Sequence, residues 1–424
     1  MNAGLIVFII LIILAFLGVP IFVSIAAGTI VAMIYVGFPL EAVLQKTFLG
    51  LNSSALLSIP FFILAGNLMA RGITQKIFNV ANIVLGRVRG SLGAVNILAS
   101  ALFGAISGSA VATVAAIGGM TIPAMKQEGY DENYAAAVAA GSSLLGTLVP
   151  PSITLIVYAS LTECSVQKLF MATAIPAITC TLLFLLYSLY YGKKHNLPTQ
   201  PKKSAREAVN TLVDSIWALL LPIIVLGTIF SGICTVTESA AISVIYAAII
   251  SLFVYKTINV KDLIQIIYES AVSSAAAMVL VGFSKAAGYV VIASQLPQTV
   301  MTFMTNFTDS KFVVLIFINV IFLILGCLME GNSIIVMMVP LMLQLVQAYD
   351  IDLIQFGIMT CVNIYIGFIT PPVGVSLLLA SKIGNTSMGK TFVSMVPFTL
   401  IAMFVLILVT YVPSFSLWLP SVLG

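Results

Sequence analysis

Two short stretches, GTLVPPS at 146–152 and GFITPPV at 367–373, place a glycine, a threonine and two adjacent prolines inside long apolar runs. Proline lacks an N–H donor and clashes with the turn before it, so a helix must stop ahead of each pair. Proline is accommodated in a helix's first turn, so the spacing predicts a second helix starting at Pro150–Pro151 and at Pro371–Pro372. Between the two lies unwound backbone. Its free carbonyls can ligate a hard cation such as Na⁺, and the free N–H groups at the positive start of the second helix can hold a carboxylate.

Such backbone is tolerated in lipid only where protein or a cavity satisfies it. The rest of the sequence says that lipid is the surrounding medium. The chain has 424 residues, 61% hydrophobic and 8% charged, where a soluble domain carries roughly a quarter charged residues. The expected fold is an all-α polytopic membrane protein in a single membrane domain. Helices are expected at 4–18, 20–37, 54–71, 131–162, 165–191, 208–230, 235–256, 270–292, 351–382 and 387–412, with interfacial amphipathic pieces at 40–52, 73–86 and 257–269. MNAGLIVFII lacks a basic leader region and reads as a retained helix rather than a cleaved signal. The first 37 residues form either one tilted helix or two short ones broken at GVP (18–20), and the repeat favours two, with the N-terminus outside.

The formal charge of +4 does not point to nucleic acid, because Lys and Arg cluster at the ends of apolar segments. With the 192–206 linker (Lys193, Lys194, Lys202, Lys203, Arg206) placed in the cytoplasm, fourteen of the eighteen basic residues fall inside. Lys46, Lys168, Lys285 and Lys311 fall near the outer face, where Lys285 either meets a substrate carboxylate or, the safer reading, snorkels outward. The five cysteines are scattered singly and read as packing residues.

GTLVPPSITLIVYAS (146–160) falls on GFITPPVGVSLLLAS (367–381), 367 minus 146 giving an offset of 221. TIPAM (121–125) falls on MVPLM (338–342) at 217, which implies a four-residue length difference between the halves. In this topology 131–162 and 351–382 run in opposite directions, so residues 1–191 and 207–424 form an inverted repeat, as in many secondary transporters. The breaks fall at the midpoints of the two 32-residue segments. Simple proline kinks would leave the same residues, but two matching central kinks of opposite orientation favour binding sites. The 90–125 and 312–348 stretches span about 36 residues each, with polar centres SGSA (107–110) and MEGNS (329–333), and fit re-entrant helical hairpins.

ALFGAISGSAVATVAAIGGMTIPAM, GTLVPPSI, GICTVTESAA, GFITPPVG and the tail FSLWLP resemble, in order and over essentially the whole chain, the large membrane subunit of the tripartite ATP-independent periplasmic (TRAP) transporters. The resemblance implies a bacterial inner-membrane importer of organic anions, driven by sodium, with a moving transport domain working as an elevator against a scaffold. Mapped onto this chain, scaffold helices take 1–71 and 207–292, and transport elements take 86–162 and 311–382. It further implies two partners, a small four-helix membrane subunit and a soluble periplasmic substrate-binding protein, besides membrane lipid. Thr113 stands where many members carry Asp, and the second tip departs from the Asp-containing sequence of dicarboxylate members. Both departures point toward a sugar acid such as a sialic acid rather than a C4-dicarboxylate.

Two sodium sites are expected, one per repeat: Ser107, Gly108 and Ser109 facing Gly146, Thr147 and Pro150, and Gly326, Gly331 and Asn332 facing Gly367, Thr370 and Pro371. Glycine permits close carbonyl approach, and hydroxyls and an amide complete an oxygen shell. Substrate is expected at Thr113, Pro151, Glu330, Ser333 and Pro372. A carboxylate near the bilayer midplane, such as Glu330, is by default functional; on a full external loop it would be a solvated turn residue. Glu238 reads as a helix cap and His195 as a solvated loop residue. The sequence contains no Walker A, HExxH or GxSxG motif and no catalytic pair, so neither direct ATP use nor enzymatic chemistry is expected. A stand-alone sodium–carboxylate symporter and a scaffold or channel without coupled transport are the competing readings.

Overall fold

The computed structural model describes residues 2–199 and 204–423; Lys202 and Lys203 of the basic linker lie outside them. Most of the described residues are helical, and none of them forms a strand. Among the described residues, eight helices are long and apolar enough to cross a membrane, or nine if the bent pair Glu132–Leu148 and Ile153–Thr162 counts as one span. The first 37 residues are two helices, Ala3–Phe16 and Ile21–Val36, separated at Gly18, whose φ is +81°. At 14 and 16 residues, neither alone reaches the roughly 30 Å of a hydrocarbon core.

The repeat is more regular than the sequence comparison implies. Each broken helix opens on an aspartate N-cap: Asp131 accepts from Tyr134 N, and Asp352 from Ile354 N and Gln355 N. Each hairpin's second arm opens on a side-chain cap as well, Ser109 in one repeat and Glu330 in the other. Both pairs are 221 residues apart, like the diprolines. The two second arms, 110–127 and Gly331–Ala348, are equal in length. The match of TIPAM with MVPLM at 217 is therefore out of structural register, and no four-residue difference exists. The arms differ instead in winding, since Val114–Gly118 forms a π-helical turn in the first only.

A polar clamp repeats too. Asn96, on the first hairpin arm Ser91–Ser107, donates to Ser142 Oγ at 2.6 Å; Asn363, on Leu353–Phe368, donates to Asn319 Oδ1 on the arm Lys311–Leu328 at 2.5 Å. In apolar surroundings such side-chain bonds fix how each arm sits on its broken helix.

Both long segments break where the prolines require, but not at their midpoints. Helix resumes at Ile153 and Val375 and runs only ten residues in each case. The expected restart at the prolines is thus corrected: Ser152 (φ −122°, ψ 120°) and Gly374 (φ +48°) precede the new helices, and the diprolines lie in the non-helical links. The peptide bonds Pro150–Pro151 and Pro371–Pro372 are cis.

Two further expectations change. Residues 257–269 are not a separate interfacial piece: Val260–Ala293 is one helix of 34 residues, opened by an Asn259/Asp262 capping box. No proline interrupts it, and Glu269 and Ser270 at the expected junction are held by Arg71 (2.6 Å) and Asn67 (2.9 Å). Leu296–Phe307 and Pro413–Leu423 are helices that the sequence reading left unassigned. Glu238 caps Val236–Ile249 as expected, its Oε2 accepting from Thr235 N at 2.8 Å. His195 is exposed and stacks on Tyr191.

Candidate functional site

At the first tip, Ser91–Ser107 ends on Gly108 in the left-handed region (φ +59°), a usual way to close a helix. A Cβ at Gly108 would lie 2.5 Å from the Pro151 carbonyl oxygen, so the tip rests on the first break. Two glycines set the approach below it: a Cβ at Gly104 would come 2.6 Å from Gly146 Cα. The second repeat does the same, with a Cβ at Gly367 falling 2.2 Å from the Gly326 carbonyl carbon. Val373 N then donates to the Cys327 carbonyl at 3.2 Å, tying the second break to its tip. Each tip meets the break of its own repeat, the arrangement expected from the sequence.

The repeats do not remain separate, however. Both tips and both broken helices line one cavity of about 100 Å³. Of the residues singled out in sequence, Gly108, Ser109, Thr147, Glu330 and Asn332 border it. Thr154, Tyr365 and Phe368 border it as well and were missed. Ser152, the residue after the first diproline, shares a hydrogen bond with Tyr365 Oη at 3.3 Å and so joins the two breaks. A small polar residue directly after a diproline was the available signal; nothing in the sequence pointed to Tyr365.

Other predicted residues take different places. Thr113 faces Gly146, where a Cβ would lie 2.1 Å from its Oγ1, and donates to the Ser109 carbonyl at 2.8 Å. Ser333 donates through both N and Oγ to Glu330 Oε2, each at 3.2 Å. Thr147 Oγ1 donates to the Leu144 carbonyl at 3.0 Å and Thr370 Oγ1 to the Ile366 carbonyl at 2.7 Å, leaving their oxygen lone pairs available. Ser107 Oγ is buried without a partner, as is Asn332 Oδ1. Pro150 turns away from the cavity, to an apolar recess of about 450 Å³ shared with Leu98 and Phe230. Pro371 is partly buried and Pro372 exposed.

Beside apolar residues such as Ala110, Val111 and Phe368, the cavity wall holds neutral oxygens, one carboxylate and helix starts. Ile153 and Val375, each the first residue of a half-helix, border it, and Asn332 lies in the first turn of Gly331–Ala348. Helix N-termini favour anions, while hydroxyl, amide and carbonyl oxygens suit a hard monovalent cation. Neither feature is a nucleophile; both are of the kind that holds ions.

The opposite ends of the half-helices meet lysines. Lys126 Nζ donates to the Gly384 carbonyl at 3.0 Å, and Lys285 Nζ donates to the Ser160 carbonyl. The Lys285 stem is pinned beside Gly50, and its ammonium finds a helix C-terminus, where a cation is favoured.

A family model described as the DctM component of the tripartite ATP-independent periplasmic transporter matches residues 8–415. The sialic acid TRAP transporter large permease protein SiaM of Vibrio cholerae is 36% identical over 89% of this chain and 88% of its own length. The C4-dicarboxylate TRAP transporter large permease protein DctM of Pseudomonas aeruginosa is 35% identical over 94% and 93%. Among solved structures, the YdaH transporter of Alcanivorax borkumensis shares the fold, with a TM-score of 0.63 at 15% identity, covering 92% of this chain and 90% of that one. Motifs, broken helices and relatives agree: the chain is a multi-pass membrane protein belonging to the DctM family, the large permease component of TRAP transporters.

Proposed function

We propose that the chain is the membrane subunit of a sodium-driven importer of an organic acid anion, with a sialic acid-type sugar acid favoured over a C4-dicarboxylate. One observation carries this reading. The tips and breaks of both repeats converge on a single cavity that combines cation-binding oxygens with anion-favouring helix N-termini. Sodium binds where each tip faces its break, at Ser107–Ser109 with Gly146 and Thr147, and at Gly326, Gly331 and Asn332 with Gly367 and Thr370. The substrate occupies the cavity between them.

Elements 86–162 and 311–382 move as one body against the scaffold formed by 1–71 and 207–292, exposing the cavity to either side in turn. A periplasmic binding protein delivers the substrate, a small four-helix subunit supports the scaffold, and the bacterial inner membrane houses the assembly. The test is uptake into proteoliposomes holding the chain and its small subunit, under a Na⁺ gradient, with and without candidate binding proteins. Saturable uptake that needs both Na⁺ and a binding protein is expected. Uptake without a binding protein would make it a stand-alone symporter, and non-saturable, Na⁺-independent flux would make it a channel.

A further inference from the structure

We propose that the start of Ile153–Thr162 is the carboxylate subsite of the cavity, with the hydroxyls of Thr154 and Tyr365 as its side-chain donors. The proposal rests on the transport reading above and adds which of the two breaks receives the acid group, and through which atoms.

Ser152 holds the N-cap position of this helix, where a serine hydroxyl ordinarily accepts from the backbone N–H groups of the first turn. Here it does not cap; the hydroxyl is turned to Tyr365 Oη, 3.3 Å away. The first backbone bond of the helix runs from Ile156 N to the Ser152 carbonyl at 3.2 Å. The N–H groups of Ile153, Thr154 and Leu155 precede it and have no acceptor within the helix, at the end where an anion is favoured. Ile153 and Thr154 border the cavity.

The hydroxyls of Thr147, Thr162 and Thr370 each donate to a carbonyl of the turn before them. Thr154 is the second residue of its helix and has no helical turn before it. Its hydroxyl lies beside the Tyr365 phenol, in a cavity-lining side chain only 6% exposed. With Ser152 donating to Tyr365 Oη, the phenolic O–H is free to donate in turn. Two hydroxyl donors and a set of uncapped N–H groups thus stand at one end of the cavity. Bonds from such donors to an ionised carboxylate are of the short, strong kind.

The repeat shows that the fold does not require this set. At the offset of 221, Val373 stands for Ser152, Val375 for Thr154 and Leu144 for Tyr365. The second half-helix starts after Gly374 without any of these hydroxyls. Ser376, in its first turn, is fully buried and does not border the cavity. The same break therefore forms with apolar side chains, and the hydroxyls of the first break serve a ligand.

The test is ligand binding to the purified full chain in Na⁺, with N-acetylneuraminate, gluconate and succinate as probes, for wild type, Thr154→Val and Tyr365→Phe. The probe that binds wild type most tightly is measured again as its methyl ester (dimethyl for succinate), which lacks the charge. The rise in melting temperature on adding Na⁺ alone should persist in both variants, verifying their fold and their sodium sites. The acid should bind each variant about tenfold or more weakly than wild type. The ester should bind all three proteins alike, within about twofold. An acid affinity unchanged within about twofold in either variant overturns the proposal. So does an ester that loses as much as the acid, because the hydroxyls would then hold another part of the ligand, and so does a variant that loses the Na⁺ response. Absence of Na⁺-dependent binding of all three probes to wild type removes the transport reading itself and the proposal with it.

Discussion

Tyr365 and Ser152 meet across the repeat. The phenol of the second broken helix and the hydroxyl that follows the first diproline lie 3.3 Å apart, both almost fully buried. One bond thus couples two helix breaks that are 213 residues apart in the chain. Tyr365→Phe keeps the ring and strands the Ser152 hydroxyl. A loss of about 1 kcal/mol is expected, read as a lower melting temperature in detergent together with slower uptake. An unchanged melt would mean that the bond contributes nothing.

Sodium dependence should follow the threonines at the breaks. Thr147→Ala and Thr370→Ala each remove one oxygen from a proposed shell. Each is expected to raise the Na⁺ concentration for half-maximal uptake by about tenfold, with the double variant more affected. Identical Na⁺ activation in both single variants would defeat the two-site assignment.

The glycine contacts admit no side chain. At Gly367 a Cβ would lie 2.2 Å from backbone, and at Gly104 2.6 Å, so neither clash is relieved by a rotamer change. Gly367→Ala and Gly104→Ala should each cost about 1–3 kcal/mol in stability. Gly227→Ala, on Ala205–Phe230 with open space around it, should be neutral or stabilising by about 0.5–1 kcal/mol. Thermal melts of the three variants decide it.

Lys285 joins the long Val260–Ala293 helix to the end of a half-helix that the proposed cycle requires to move. Lys126, by contrast, lies in the proposed moving body and bonds to Gly384, two residues past that body's end at 382 on the same half-helix, Val375–Gly384. Lys285→Met should therefore change the maximal uptake rate by several-fold while leaving half-saturating Na⁺ within about twofold. A shift in Na⁺ affinity without a rate change would place Lys285 in ion binding instead.

Two Na⁺ carried with a monovalent anion move one net positive charge, worth about 2.3 kcal/mol per 100 mV. Uptake should accelerate as the inside of the vesicle is made negative with a K⁺ diffusion potential. Voltage-insensitive uptake contradicts that stoichiometry.

The sequence alone determined where the helices must stop. Proline chemistry at 150–151 and 371–372 is covalent, and a repeated break at an offset of 221 is visible without coordinates. It also pointed to two helical hairpins, marked out by their polar tips, and to the medium, through composition. Pairing within each repeat was legible because tip and break belong to one motif set.

Tertiary packing decided what lies between the repeats. The sequence reading gave each half its own sodium site and drew its substrate residues from both; the Tyr365–Ser152 bond and a cavity bordered by Thr147 and Glu330 alike show the two halves enclosing one space. No periodicity encodes a contact between residues so distant in the chain, because it depends on how two separately folded pieces dock. Packing likewise gave Lys285 the Ser160 carbonyl as its partner, and it carried Val260–Ala293 unbroken past the charges that read locally as an interface. Local rules fix where a backbone can bend; only the assembled surfaces determine which groups the bends bring together.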